Sequence, residues 1–224
     1  MPFKDRADAG RKLASALSHY RDTSPIIMAL PRGGVAVAAQ VAKALDAPLD
    51  VVLVRKIGVP MQPELAMGAV VDGGAPLVVR NEDVIKFTDV TETEFQDVCD
   101  RELAEIERRR KRYVGARPAP ELAGRVVIVI DDGIATGATT RAALRAIRGR
   151  QPKELILAVP VAPTDTLAEL RAEADTIICL EDHRAFGALG NFYADFRQLT
   201  DQDVTDTLAR FTAETPLQSA RATP

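Results

Sequence analysis

Five consecutive residues, Val126-Val127-Ile128-Val129-Ile130, are all apolar and β-branched, and the next two are Asp131-Asp132. A strand with one wet face alternates polar and apolar side chains. This one has no polar side to show, so both of its faces must be covered. That implies a sheet sandwiched between helices, whose strands run parallel and are joined by helical crossovers. The carboxylates add a second constraint. Burying them without partners is costly, so the strand must end where cations or hydroxyl groups can reach.

The rest of the chain keeps the same rhythm. Apolar positions at Ala9, Leu13, Ala16 and Leu17 mark an amphipathic helix over 6–20. Pro25 to Leu30 is a short apolar strand that stops at Pro31-Arg32-Gly33-Gly34, an alanine-rich helix follows to Leu45, and Leu49 to Val54 is read as one further strand. Residues 55–122 look less regular, with short strands at Gly68–Val71 and Leu77–Val79 around an Asp72-Gly73-Gly74 turn. A short helix capped by Asn81 or Asp83 comes next, then a long charged helix from Thr91 to Tyr113. After residue 125 strands and helices alternate again: strand 125–130, helix 139–150, strand 154–161, helix 163–173 and strand 176–180. Residues 182–198 are irregular and aromatic, residues 201–211 form a last helix, and 212–224 read as a disordered tail.

A chain of 224 residues can bury a full core and suits one elaborated domain. A net charge of −3 offers no general attraction to nucleic acid or to an anionic membrane. No apolar run reaches the roughly 20 residues that a spanning helix needs, and the first residues have no signal-peptide pattern. Two cysteines, Cys99 and Cys179, have neither metal-ligand spacing nor enough partners for a disulfide framework. Two buried thiols in a reducing cytoplasm are expected.

After Ile130 the sequence runs Asp131-Asp132-Gly133-Ile134-Ala135-Thr136-Gly137-Ala138-Thr139-Thr140 and opens a helix. In open α/β sheets ligands bind beyond the carboxyl ends of the strands. The free N–H groups of a glycine- and threonine-rich loop at a helix start suit a phosphate, and the two carboxylates suit metal ions or sugar hydroxyls. The combination fits a ligand with a diol at one end and a phosphate at the other. It is not a P-loop, since no Gly-Lys-Ser/Thr follows.

This segment closely resembles the signature of the type I phosphoribosyltransferases, in which apolar residues precede two acidic residues and a short Thr/Gly loop. The resemblance implies that Asp131 and Asp132 hold the ribose hydroxyls of 5-phosphoribosyl-1-pyrophosphate (PRPP). It places the 5-phosphate on Ala135, Thr136, Gly137, Ala138 and Thr139. One departure is Gly133, where the family usually has an aliphatic residue. Pro31-Arg32-Gly33-Gly34 then matches the pyrophosphate loop, with Arg32 supplying charge, Gly33 and Gly34 letting the backbone approach, and a cis peptide expected before Arg32. More specifically, Leu30-Pro31-Arg32-Gly33-Gly34-Val35, Val54-Arg55-Lys56-Ile57-Gly58, Pro63-Glu64-Leu65-Ala66-Met67-Gly68-Ala69-Val70 and Asp131 to Gly137 are similar to a group of bacterial phosphoribosyltransferases without an assigned substrate.

The resemblance implies an α/β fold, a parallel sheet flanked by helices in a Rossmann-like core, with a small hood and lid. The domain would span 1–211, with a core over about 24–181, a hood from 1–23 and 182–211, and a lid inserted over about 56–122. Transfer to a nitrogen acceptor would proceed with Mg²⁺ on pyrophosphate and ribose oxygens, touched by Asp131 and Asp132 only indirectly. Lys56 is a candidate for the closing lid, as are Met61-Gln62-Pro63-Glu64 and the run Arg108-Arg109-Arg110-Lys111-Arg112, although such a run is ordinarily a solvated helix face. Phe186 or Phe192 would either stack on a nucleobase or pack a small lid core, and His183 reads as an exposed loop residue. A cytoplasmic homodimer is expected, acting on PRPP and a small-molecule acceptor, with no nucleic-acid or membrane partner.

Two other classes fit the same cradle: a PRPP-sensing regulator without chemistry, and a nucleotide phosphorylase or hydrolase. The acceptor is narrowed by what is missing. Purine-salvage enzymes of this type carry an extra aspartate in the phosphate loop and a lysine at the end of the next strand. Here those places hold Ala135 and the apolar stretch Ala158-Val159-Pro160-Val161-Ala162-Pro163.

Overall fold

The computed structural model describes residues 2–72 and 76–212, so the expected turn at Gly73-Gly74 and the tail beyond residue 212 lie outside the described residues. Five strands form one sheet in the order β2-β1-β6-β7-β8: β1 Ile26–Ala29, β2 Leu49–Val51, β6 Val126–Ile130, β7 Glu154–Pro163 and β8 Thr176–His183. Every pairing is parallel, with Ile27 opposite Ile128 and Ile128 opposite Ile156 at the centre. The all-apolar run at 126–130 is the middle strand, and all five of its residues are buried.

Helices cover both faces, as that run requires. On one side α1 (Arg6–Ala16), α2 (Gly33–Leu45) and α7 (Asp201–Thr212) pack through residues such as Leu13, Val41 and Leu208 onto Ile27, Ile128 and Ile156. On the other, α5 (Ala138–Arg148) and α6 (Thr164–Leu170) pack through Leu144, Ile147 and Leu170 onto Met28, Val127, Val129 and Leu157. Truncating one such central side chain to alanine costs about 2–5 kcal/mol.

Residues 54–113 are more regular than their sequence suggests. A second, antiparallel sheet is built from β3 (Val54–Val59), β4 (Gln62–Val71) and β5 (Leu77–Arg80). The helix α3 (Glu82–Phe87) is capped by Asn81, and α4 (Glu92–Tyr113) begins at Thr91 with a reciprocal capping box to Glu94. Met67 and Val70 of β4, Ile57 of β3 and Phe95 and Val98 of α4 join the same core. This packing sustains a ten-residue strand where only Gly68–Val71 was expected.

The expected strand 49–54 is in fact two pieces in two sheets, separated at Val52-Leu53. The cause is tertiary. Leu53 N–H donates to Asp72 Oδ1 at 2.8 Å, Asp72 N–H donates back to Leu53 O at 2.9 Å, and Arg110 of α4 pairs with Asp72 Oδ2 at 2.8 Å. These bonds pin the chain where it leaves the parallel sheet. Of the two thiols, Cys99 is buried, but Cys179 is only half-buried because β8 is an edge strand. Among the described residues no helix is long and apolar enough to cross a membrane.

Candidate functional site

β1 and β6 are neighbours in the sheet, with Ala29 opposite Ile130, so the loops that leave them start side by side. Leu30 N–H donates to Ile130 O at 2.9 Å, carrying the pairing one residue past β1. The Pro31–Arg32 peptide is cis, as the resemblance implied. Gly33 opens α2 directly against the acidic pair: a methyl group there would lie 1.9 Å from Asp132 Oδ2. Only glycine permits that approach.

The two aspartates differ in surroundings. Asp132 is 8% exposed. Its Oδ2 takes a hydrogen bond from Arg6 Nε at 2.6 Å, and its backbone carbonyl accepts the Tyr193 hydroxyl. Asp131 keeps some exposure, and its Oδ1 accepts the Asp132 N–H at 2.8 Å. Burial around the carboxyl, then the charge of Asp132, pushes the Asp131 pKa well above the usual carboxylate range. Desolvation likewise raises the Tyr193 hydroxyl far beyond ordinary tyrosine, which keeps it a donor.

Past Gly133 the loop turns outward. Ala135, Thr136, Ala138 and Thr139 are exposed, and α5 starts at Ala138 with no side chain capping its first N–H groups. Thr166 Oγ1 ties the loop down by donating to Ala135 O at 3.3 Å. Thr136 and Ala138 also border a cleft of about 540 Å³ whose opposite wall includes Ala66 and Gly68 of β4 and Val79 of β5.

Arg32 pairs with Asp201, the first residue of α7, at 3.7 Å. The same carboxylate meets Arg112 at 3.3 Å, Arg108 at 3.9 Å and the Tyr113 hydroxyl at 2.6 Å. That hydrogen bond first, and the arginines after it, hold Asp201 below the usual aspartate range. Arg109 pairs with Glu105, Arg110 with Asp72 and Lys111 with Glu107. The arginine run is therefore a set of ion pairs, two members of which converge on the residue that also meets Arg32.

Lys56 stands apart from both loops. It is exposed on β3, and its ammonium meets the carboxylate of Glu64 at 3.1 Å. No hydrogen bond or ion pair among the described residues joins it to residues 31–34 or 131–140. Phe186 stacks on Phe192 with ring centroids 4.8 Å apart, inside a cluster with Phe3, Leu189 and Tyr193. His183 is not an exposed loop residue: it ends β8, half-buried, 4.8 Å from the Phe192 ring.

Sequence reasoning missed Arg6, Tyr193 and Asp201. Arg6 left one clue, since it lies three residues before Ala9 and seven before Leu13, on the buried stripe of α1. Tyr193 and Asp201 left none, because their partners are distant in the chain.

Residues 3–196 match the model of the phosphoribosyl transferase domain. Two curated proteins of Mycobacterium tuberculosis, from strains CDC 1551 / Oshkosh and H37Rv, are 43% identical over 208 residues, 93% of this chain; their names give phosphoribosyl transferase as a provisional activity. The chain spans only 46% of the length of these relatives. The crystal structure of TT1426 from Thermus thermophilus superposes with a TM-score of 0.81 at 38% identity, over 94% of this chain and 99% of that one.

Proposed function

Because this chain belongs to the phosphoribosyl transferase domain family, we propose that it binds PRPP at the carboxyl edge of its parallel sheet and transfers the 5-phosphoribosyl group to a nitrogen acceptor. The observation that carries this reading is the contact of Gly33 with Asp132. It sets the Pro31–Gly34 loop against the acidic pair within a few ångströms, so a pyrophosphate on the first loop and a ribose on the second would share C1.

In this reading the Ala135–Thr139 loop, exposed except at Gly137, takes the 5-phosphate through backbone N–H groups and the α5 terminus. Asp131 and Asp132 hold the ribose end, and the backbone at Gly33 and Gly34 takes the pyrophosphate. Arg32 gives its charge to the leaving group, for which it must release Asp201. The C1–O bond to pyrophosphate breaks as the bond to the acceptor nitrogen forms, and the acceptor's surplus proton goes to solvent. The aspartates offset positive charge on the ring while Arg32 stabilises the departing anion.

Magnesium fits as a passenger of the substrate. Among the described residues no group of three His, Cys, Asp or Glu side chains could hold it, so its oxygens would come from pyrophosphate and ribose, with the aspartates behind them. When bound, the ion neutralises the leaving group. Lys56 and the antiparallel sheet keep a lid role in the proposal, supported by the cleft between β4 and the phosphate loop. Phe186 would reach an acceptor only by leaving its stack on Phe192.

A screen for pyrophosphate release from Mg-PRPP across purine bases, pyrimidine bases and small amines tests the proposal. Release that depends on one class of acceptor is expected. Binding of Mg-PRPP without release from any acceptor would leave a PRPP-binding protein and remove the transferase.

A further inference from the structure

The acidic pair is asymmetric in a way that the sequence does not show. Asp132 is enclosed. Arg6 Nε donates to its Oδ2, and a methyl on Gly33 would meet Oδ2 at 1.9 Å and Oδ1 at 2.8 Å, so the carboxylate packs directly on the Gly33 backbone. Asp131 keeps some exposure. Its Oδ1 accepts the Asp132 N–H at 2.8 Å and faces Gly34, and among the described residues no cation pairs with it as Arg6 pairs with Asp132.

Arg6 is itself held on every side. Its Nη1 donates to Arg197 O at 2.9 Å, its guanidinium lies 3.9 Å from the Phe196 ring centroid, and only 9% of the residue is exposed. The planar fork matches this setting, since it can donate in two directions and stack at once. Arg6 thus links α1, the 193–197 segment and the end of β6 through a single guanidinium.

Resting on the ribose reading above, we propose that Arg6 is a positioning residue: it fixes the Asp132 carboxylate at the ribose end of the site and leaves Asp131 as the carboxylate of the pair with free capacity for the sugar hydroxyls. Its effect on the substrate runs through Asp132. Without Arg6 the Asp132 carboxylate, already against Gly33, turns into the space the guanidinium vacates, which disturbs the ribose end of the site, while the Leu30 N–H bond to Ile130 O keeps the pyrophosphate loop in place.

Calorimetric titration of the full chain with Mg-PRPP, and separately with inorganic pyrophosphate, tests this. Asp131→Asn loses charged hydrogen bonds to the sugar and should weaken Mg-PRPP by about 10- to 100-fold. Arg6→Met and Asp132→Asn should each weaken it by a smaller factor, and the double variant no more than the worse single, since both remove one interaction. The double variant also covers a failure of Arg6→Met to fold, because replacing both members of a buried pair is tolerated better than orphaning one. Arg6→Lys should recover part of the loss, and pyrophosphate affinity should not change in any Arg6 variant. Losses that multiply in the double variant, or an Asp132→Asn loss equal to that of Asp131→Asn with Arg6→Met neutral, would overturn the proposal while the ribose reading stands. A wild-type chain that binds no Mg-PRPP removes the ribose reading, and this proposal with it.

Discussion

Gly33 and Asp132, 99 residues apart in the chain, are in van der Waals contact: the position of a Cβ on Gly33 is 2.3 Å from Asp132 Cγ and 1.9 Å from Oδ2. Because Arg6 holds that carboxylate from the other side, it cannot step aside without breaking a buried ion pair. Gly33→Ala should therefore cost about 1–3 kcal/mol of stability by overpacking. It should also weaken Mg-PRPP binding more than Gly149→Ala, which lies at the far end of α5 with only ordinary contacts. Denaturant unfolding and titration of the two variants make the comparison.

A second close approach accounts for the departure at Gly133. A Cβ there would lie 2.2 Å from Leu189 Cδ1 and 3.1 Å from Val161 Cγ1. Leu189, from the aromatic segment, fills the room that an aliphatic residue at 133 would need. Gly133 also sits at φ +156°, which side chains rarely adopt, so Gly133→Val should destabilise by about 1–3 kcal/mol and Leu189→Ala in the same chain should restore only the part due to the clash. Equal stability of Gly133→Val and the double variant would contradict this packing.

The Asp131 carboxyl is pushed up by burial and by Asp132, so the folded chain holds that proton more tightly than the unfolded chain does. Stability from this group is full below the ordinary aspartate value of about 4 and is lost as pH rises through the folded value. Ligand-free Asp131→Asn should then melt higher than wild type at pH 7, with the gap closing below about pH 4. Its amide oxygen can still accept the Asp132 N–H. A variant less stable than wild type at pH 7 would contradict the upward shift of the Asp131 carboxyl.

Hypoxanthine and guanine should be poor acceptors. Ala135 can neither give nor take a proton, and the end of β7 is apolar, with Val159, Val161 and Ala162 fully buried. Two unmet hydrogen bonds on a buried base cost roughly 1–3 kcal/mol each. Turnover of either purine near 1 per second, the low end of ordinary enzyme rates, would contradict this. Steady-state rates with both bases settle it.

What could be read from the sequence was local or periodic. Val126–Ile130 carries its own burial pattern, and Asp131–Thr140 carries its loop chemistry within ten residues, so the central strand and both loops were legible. Arg6 and Asp132 are separated by 126 residues, and an arginine in the first turn of an amphipathic helix carries no sign of its partner. The break at Val52-Leu53 was hidden for the same reason: the apolar run continues through it, and Asp72 and Arg110, which cause the break, lie far along the chain. Pro63, Glu64, Ala66 and Gly68, all poor strand formers, concealed β4, whose length comes from packing on α4.

The most direct measurement of the central claim is the melting temperature of the chain with and without millimolar Mg-PRPP. A ligand that binds only the folded state at 100 times its Kd adds about 2.7 kcal/mol, which for a chain of this size is a rise of several degrees. The account predicts that rise with Mg-PRPP and a smaller one with ribose 5-phosphate, which lacks the pyrophosphate that the Pro31–Gly34 loop would bind. An unchanged melting temperature at millimolar Mg-PRPP would contradict it.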